Sequence, residues 1–453
     1  MTETPDPIAQ AENFSRQGAD AWNRGHMLDA VNAFARAALL NPQRPDYHMN
    51  LGVCLRKTGR VEASIASYKR AVFLTPNDPV LLSNMGNSYR DLGLLEEAEF
   101  YLRRAHELSP HTQSFYYNLA LVIRDRRRHR EARQMMVEIL NRDPNNADVA
   151  WDMALTDLYL LDYQTGWRSY ETRWRLERAA ARSFPGIQWR PGMPLQDRTL
   201  LIVAEQGFGD SLQFARFLPF LVQQGARLVV ECQPELQDLL GNIPGVVQTL
   251  PKHSPPPPYD YWLPIMSLAW LLGVRYENIP NQVPYLSPPP SRQFDLPRLP
   301  GVKKNVGLIW AGKTTPRDRS WPLTNLMPLL ENPQLAFWSL QMGDRANDLG
   351  ALGVGALVRD LRPYISTFAD TAAIMNSLDL IITIDTSACH LAGALGRPTW
   401  VLLRYVSDWR WLDEPSDSAW YPTLRLFRQP NPQDFTTPVE QVCRALTELL
   451  DQS

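Results

Sequence analysis

Along the first third of the chain, apolar positions return every 34 residues, with polar residues filling the turns between them. Small residues keep the beat at Gly18, Gly52, Gly86 and Ala120, and again at Ala30, Ser64, Ala98 and Ala132. Bulky ones follow in phase at Phe34, Tyr68, Leu102 and Met136, and Pro42, Pro76, Pro110 and Pro144 close each unit. Small residues let two helices approach closely, and proline cannot continue a helix. Each unit therefore predicts a helix–turn–helix pair, four of them over 11–144. The register runs on through Trp151, Ala154, Gly166 and Tyr170 and departs at Arg173. That predicts capping helices over 145–184, which close the last apolar face of the stack. Residues 1–10 are expected to be a disordered tail.

After Phe184-Pro185-Gly186 the period changes. TLLIVAEQ (199–206) is a short apolar run of strand formers ending in Gly207-Phe208-Gly209-Asp210. A helical pattern follows, with Leu212, Phe214, Phe217, Leu218 and Leu221 before Gly225. ARLVVECQ, PELQDLLGNI and VVQTL read as strand, helix and strand, and Pro255 to Pro258 as a surface loop. A proline-rich stretch, 280–301, predicts an interdomain linker. The alternation restarts with NVGLIW, a helix near 324–331, LAFWSLQ, a helix near 370–377, LDLIITID, a helix near 387–395 and TWVLL. A last helix within 438–453 is expected to brace the first half. Strands alternating with helices over short loops give doubly wound parallel sheets. The expected fold class is thus α + α/β: an α-solenoid, then two Rossmann-like halves over 185–279 and 302–437. Ligands bind such pairs in the cleft at the carboxyl ends of the strands.

With 44% hydrophobic and 10% aromatic residues the chain has ample material for cores, and global disorder is excluded. The net charge of −2 suggests no general surface for nucleic acid or membrane. One local exception, Arg124 to Arg130 (RDRRRHR), reads as a solvated turn, with an anionic partner as the alternative. Cys54, Cys232, Cys389 and Cys443 lack metal-ligand spacing and read as buried thiols in a reducing compartment. The acidic, polar N-terminus is no secretory signal, and no apolar run of about twenty residues predicts a membrane span. A cytoplasmic protein without a metal or cofactor is expected.

Three loops carry candidate chemistry. Gly207, Phe208, Gly209 and Asp210 join a strand to a helix without the third glycine or the lysine of nucleotide fingerprints. Asp210 is suited to capping that helix, or to acting as a general base at the cleft. Asp385-Thr386-Ser387-Ala388-Cys389-His390 opens a helix after a buried strand, and free N–H groups with two hydroxyls suit a diphosphate. His390 lies one turn beyond Thr386 and reads either as structural or as a ligand contact. Lys313, Thr314 and Thr315, with Arg317 and Arg319, form a polar, cationic loop before Trp321-Pro322 that suits anionic oxygens.

From about 199 to 428, the segments EQGFGDSLQFARFLPFL, GLIWAGKTTPRDRSWPL, FWSLQMGD and LDLIITIDTSACHLAGALGRPTWVLL resemble bacterial heptosyltransferase-like glycosyltransferases of the two-Rossmann (GT-B) type. The resemblance implies a catalytic base at Asp210 and a donor diphosphate contact at Arg319, with Thr314 and Thr315 as neighbouring hydroxyls. It further implies a donor site lined by Asp385, Thr386, Ser387 and His390, and a nucleoside contact at Gln341. The chain departs from that family where Ser387-Ala388 replaces a glycine and where Arg319 replaces a lysine. Its first half is also shorter, which puts a lipopolysaccharide acceptor in doubt.

The 34-residue units resemble tetratricopeptide repeats. Asn50, Asn84 and Asn118 recur at one position of successive units, and Arg56, Arg90 and Arg124 recur six residues on. A side-chain amide both donates and accepts, so an asparagine row can grip a peptide backbone. The row resembles the asparagine ladder of O-linked N-acetylglucosamine transferases; asparagine is also common there in ordinary repeats. Together these resemblances imply an inverting, metal-independent glycosyltransferase whose co-substrate is a nucleotide-diphosphate sugar. Its acceptor would be a protein or peptide held in the repeat groove, such as flagellin or another surface protein. An inactive repeat scaffold and an enzyme acting on a glycan acceptor stay open as alternatives.

Overall fold

The computed structural model describes residues 6–177, 184–297, 299–314 and 318–451. Its contacts divide the chain into two compact units, Met1–Thr156 and Asp157–Ser453.

The first unit is a stack of antiparallel helix pairs: Pro7–Asn23 with Met27–Leu40, Pro45–Lys57 with Val61–Leu74, Pro79–Asp91 with Leu95–Leu108, and Gln113–Asp125 with His129–Arg142. The small residues at Ala30, Ser64, Ala98 and Ala132 are fully buried. A Cβ on Gly52 or Gly86 would lie 2.7 Å from Tyr68 or Leu102, so this approach admits glycine alone without a shift. The turn inside each pair passes through the left-handed region at Gly25, Gly59, Gly93 and Arg127, 34 residues apart, and again at Leu161. Arg127 thus meets a backbone demand that glycine meets in the earlier units. Its neighbours Arg126 and Arg128 reach Glu99 at 2.9 Å, so the basic turn is a local ion-pair network.

The helix Ala147–Tyr159 runs across the boundary between the units. The next helix, Tyr163–Tyr170, meets Leu158 at Gly166, as a capping pair should. Its aromatic face has a second task within the second unit. Trp167 packs edge-on to Phe214 and Trp409, and Tyr163 stacks on Trp420.

The second unit contains two parallel sheets. The first comprises β1 (Ile187–Gln188), β2 (Thr199–Val203), β3 (Arg227–Cys232), β4 (Val246–Pro251) and β5 (Tyr261–Pro264), in the order β1-β5-β2-β3-β4. The other comprises β6 (Lys304–Leu308), β7 (Leu335–Ser339), β8 (Val358–Asp360), β9 (Leu380–Ile384), β10 (Thr399–Leu403) and β11 (Leu424–Arg428), in the order β11-β10-β9-β6-β7-β8. Every pairing within these sheets is parallel. Counted from β6, the second order is the doubly wound one, which reverses between β6 and β9. The first sheet reverses in the same way between β2 and β5.

Two expectations, on the helix near 324–331 and on the last helix, need correction, and the linker gains detail. The segment Leu323–Glu331 winds as a 3-10 helix, because Pro328 has no N–H for an α-helical bond. The linker is stitched down: the Tyr285 N–H donates to the Ala394 carbonyl at 3.0 Å, and the Tyr285 hydroxyl donates to the Leu212 carbonyl at 3.0 Å. The C-terminal helix, Thr436–Asp451, packs on the second sheet and does not brace the first. Its Val439, Val442, Ala445, Leu446 and Leu450 join the core cluster of Val306, Leu308 and Ile382. An amphipathic helix buries its stripe on the nearest apolar face, and that face lies behind β6 and β9.

Candidate active site

β2 delivers the chain into the loop holding Glu205 and Gln206, and a buried arginine fixes that loop. Arg173, 5% exposed, donates to both carboxylate oxygens of Glu205 at 2.9 and 3.0 Å, and to Glu171 and Ser267 at 2.5 and 2.8 Å. Glu205 also accepts the Met266 N–H, which ties the loop after β2 to the loop after β5. The two arms of the first sheet's switch point are therefore fastened together.

The helix Phe208–Phe214 starts at Gly207, and the Asp210 Oδ2 accepts the Gly207 N–H at 3.1 Å. Asp210 thus caps its helix, as the local pattern allows. Its other oxygen, Oδ1, accepts from Arg410 Nη2 at 2.7 Å, across a sequence separation of 200. Arg410 is spoken for on every side. Its Nη1 donates to Asp408 at 2.8 Å, its Nε donates to the Gln213 amide oxygen, and its plane lies 4.3 Å from the Trp409 ring centroid. Burial pushes the Asp210 carboxyl up from the usual range, while Arg410 pulls it back.

In the second sheet β9 ends at Asp385-Thr386, and the helix Ser387–Ala394 follows. Gly209 packs against this helix so closely that a Cβ there would stand 2.7 Å from the His390 ring and 3.5 Å from the Ser387 Cα. Phe208 and Phe368 add a ring contact at 5.0 Å. The mouths of the two helices, one from each sheet, therefore abut at Gly209. Thr386 caps the second helix, and its Oγ1 is buried with no hydrogen-bond partner among the described residues. Asp385, itself buried, accepts from Arg319 at 3.1 Å, and Arg319 keeps 41% of its side chain exposed. Ser387 is half-buried.

His390 lies beside Gly209 at this junction, packed into the protein. Its ring is buried, shares a 2.9 Å hydrogen bond with the Tyr421 hydroxyl through Nδ1, and stacks on Trp411. Burial, with Arg410, Arg319 and Arg216 nearby, holds it well below the usual imidazole range. This is a neutral, packed side chain. Gln341, after β7, has its amide committed to the protein itself. Its amide accepts from the N–H groups of Trp310 and Ala311 at 3.0 and 2.8 Å and donates to the carbonyls of Ala311 and Met342 at 3.1 and 2.9 Å. All its bonding capacity is spent on fixing the loop after β6.

Lys313 and Thr314 are exposed in that loop, and Thr315, like Arg317, lies outside the described residues. Asp385, Cys389 and His390 bring potential ligand atoms within 4.8 Å of one another. Asp385 is already paired, however, and the cations around His390 oppose a further positive charge. Arg404, after β10, adds another half-buried cation, donating to the Ser320 carbonyl at 3.1 Å.

In the repeats the arginine row is bound to the protein itself. Arg56 donates to Asp91 and Arg90 to Asp125, both at 2.6 Å, and Arg124 donates to Asp152 at 2.7 Å. Each pair joins one repeat to the next helix pair, so these cations staple the stack. The Asn118 amide donates to Ser83 at 3.3 Å. Asn50 and Asn84 are half-buried, and among the described residues no hydrogen bond engages their amides.

Sequence reasoning missed Arg410, Arg173 and Glu205. The Asp408-Trp409-Arg410-Trp411 run was the available signal, since a cation between two indoles favours a stacked, buried arginine.

Residues 16–79 and 81–112 match tetratricopeptide repeat models. Protein FlbA of Caulobacter vibrioides is 28% identical over 294 residues, which take in 58% of this chain and 48% of FlbA. The chain thus spans about half the length of that relative. Among solved structures, PilF of Pseudomonas aeruginosa aligns with 37% of this chain and 76% of its own, at 21% identity and a TM-score of 0.33. MamA of Desulfovibrio magneticus RS-1 aligns with 37% and 96%, at 16% identity and a TM-score of 0.35. No helix among the described residues is long and apolar enough to cross a membrane. The N-terminal unit is a stack of tetratricopeptide repeats, an architecture for binding other proteins.

Proposed function

We propose that the second unit is a metal-independent, inverting glycosyltransferase of the two-Rossmann type, and that the repeats hold its protein acceptor. One observation carries this reading: at the mouth of the helix after β2, Asp210 bonds Arg410 of the loop after β10 and Gly209 packs on the helix after β9, β2 and β9 being strands at which the two sheets reverse their order. Ligands in doubly wound folds bind at such points.

The reaction would be a single displacement. An acceptor hydroxyl attacks the anomeric carbon, its proton passes to Asp210, and the bond from that carbon to the diphosphate oxygen breaks. Negative charge grows on the departing nucleotide diphosphate. Arg319, Lys313 and the N–H groups opening the helix Ser387–Ala394 are the groups to stabilise it. A bacterial surface protein such as flagellin is the acceptor this reading favours, by analogy with repeat-fused relatives. The test is transfer from nucleotide-sugars by wild type and Asp210→Asn. The variant should bind nucleotide normally and lose transfer by at least about a hundredfold; undiminished turnover would remove Asp210 from the mechanism.

A second reading, a repeat scaffold with an inactive C-terminal unit, is favoured by His390 and Gln341, whose polar atoms serve internal packing. It predicts that ADP, UDP, GDP, CDP and CMP all leave the melting temperature unchanged.

A further inference from the structure

Arg410 has no part in the chemistry just described, yet it is a heavily engaged cation at the junction of the two sheets. Its side chain is 9% exposed. Acceptors come from both sides: Asp210 and Gln213 from the first sheet's helix, and Asp408 from its own loop. Trp409 supplies the ring beneath it. A guanidinium with each nitrogen engaged and its face stacked has a fixed plane, and it fixes whatever it holds.

We propose that Arg410 is a positioning residue for Asp210: from the second sheet it fixes the rotamer of the first sheet's carboxylate and keeps that carboxylate an anion. This inference rests on the glycosyltransferase reading for its consequence in turnover, and on the contact geometry alone for its consequence in charge. Asp210 is held by its two oxygens, Oδ2 on the Gly207 N–H and Oδ1 on Arg410. One hold is local and survives any change in the second sheet; the other does not.

The charged and titratable groups facing Asp210 decide the sign of the effect. Arg410 and Asp408 come from the loop after β10, Arg319 from the loop after β6, and Tyr170 from the helix Tyr163–Tyr170. His390, beside Gly209, is neutral. Without Arg410, Asp210 faces Asp408, with Arg319 among the described residues to offset it. Burial and a like charge both favour the protonated acid, so the carboxyl rises and ionises later as the pH is raised. A base must be unprotonated to work, so the variant loses activity on the acid side.

Two measurements on the full chain test this. In the first, the pH profile of transfer is compared for wild type, Arg410→Gln and Arg410→Lys. Arg410→Gln should lose about tenfold or more near pH 6 and recover as the pH rises. Arg410→Lys, which keeps the charge, should lie between the two. A loss equal at every pH, or no loss, overturns the proposal. In the second, the protein is labelled with aspartate carrying carbon-13 at the carboxyl, and Asp210 is assigned through Asp210→Asn. Its titration midpoint should move upward in Arg410→Gln without any donor present. An unmoved midpoint overturns the proposal whether or not the protein transfers sugar. An upward shift in a protein without transferase activity would instead remove the glycosyltransferase reading and leave the arginine's role standing.

Discussion

At the scale of single residues, the same chemistry serves different ends according to burial. Arg56–Asp91 and Arg90–Asp125 have equal lengths, but the first pair is 33% and 39% exposed and the second 17% and 2%. Water screens an exposed pair, and its loss costs less than about 1 kcal/mol. Breaking a buried pair costs more, since the remaining carboxylate is only 2% exposed to water. Arg90→Ala should therefore destabilise the repeats several-fold more than Arg56→Ala in urea unfolding. Equal effects would mean that Asp125 finds water or another cation. The sequence shows both arginines in one row; only burial separates them. Gln341 teaches the same lesson, since its position at a strand end was legible and the direction of its amide was not.

At the scale of elements, the decisive contact is the one between two helix mouths. Asp210 and Thr386 lie in strand-to-helix loops that the apolar pattern marked correctly. Nothing in the pattern told that Gly209 would press on Ser387 and His390. Glycine there serves close approach, with no tight nucleotide turn involved. Gly209→Ala must push the helices apart or displace the imidazole, at roughly 1–3 kcal/mol. The expected outcome is a lower melting temperature and, on the glycosyltransferase reading, weaker nucleotide binding; an unchanged melting temperature would show that the junction yields freely. Short strands were illegible for a plain reason. β1, β5 and β8 span two, four and three residues, too few for a period to show. Their places are set by pairing with longer neighbours, β5 joining β2 and β8 joining β7.

At the scale of the whole molecule, the chain couples a protein-binding stack to a pair of doubly wound sheets. If the repeats hold the acceptor, the asparagine amides left unbound should matter for the acceptor alone. Asn50→Ala combined with Asn84→Ala should raise the KM for a protein acceptor about tenfold while leaving nucleotide binding unaltered. An unchanged KM would assign acceptor choice elsewhere and favour a glycan. The two asparagines are the informative pair because Asn118 already donates to Ser83.

By itself the sequence determined what repeats locally. The 34-residue beat, the parallel alternation and the loops that bear charge all follow from short-range periodicity, which each segment carries alone. Tertiary structure decided which side chains those loops can offer. It spent Arg56, Arg90, Arg124, Gln341 and His390 on internal partners and brought Arg410 to Asp210 from 200 residues away. The reason is that a polar group's role depends on whether its bonds are already satisfied, and those partners are assembled only when segments distant in sequence fold together.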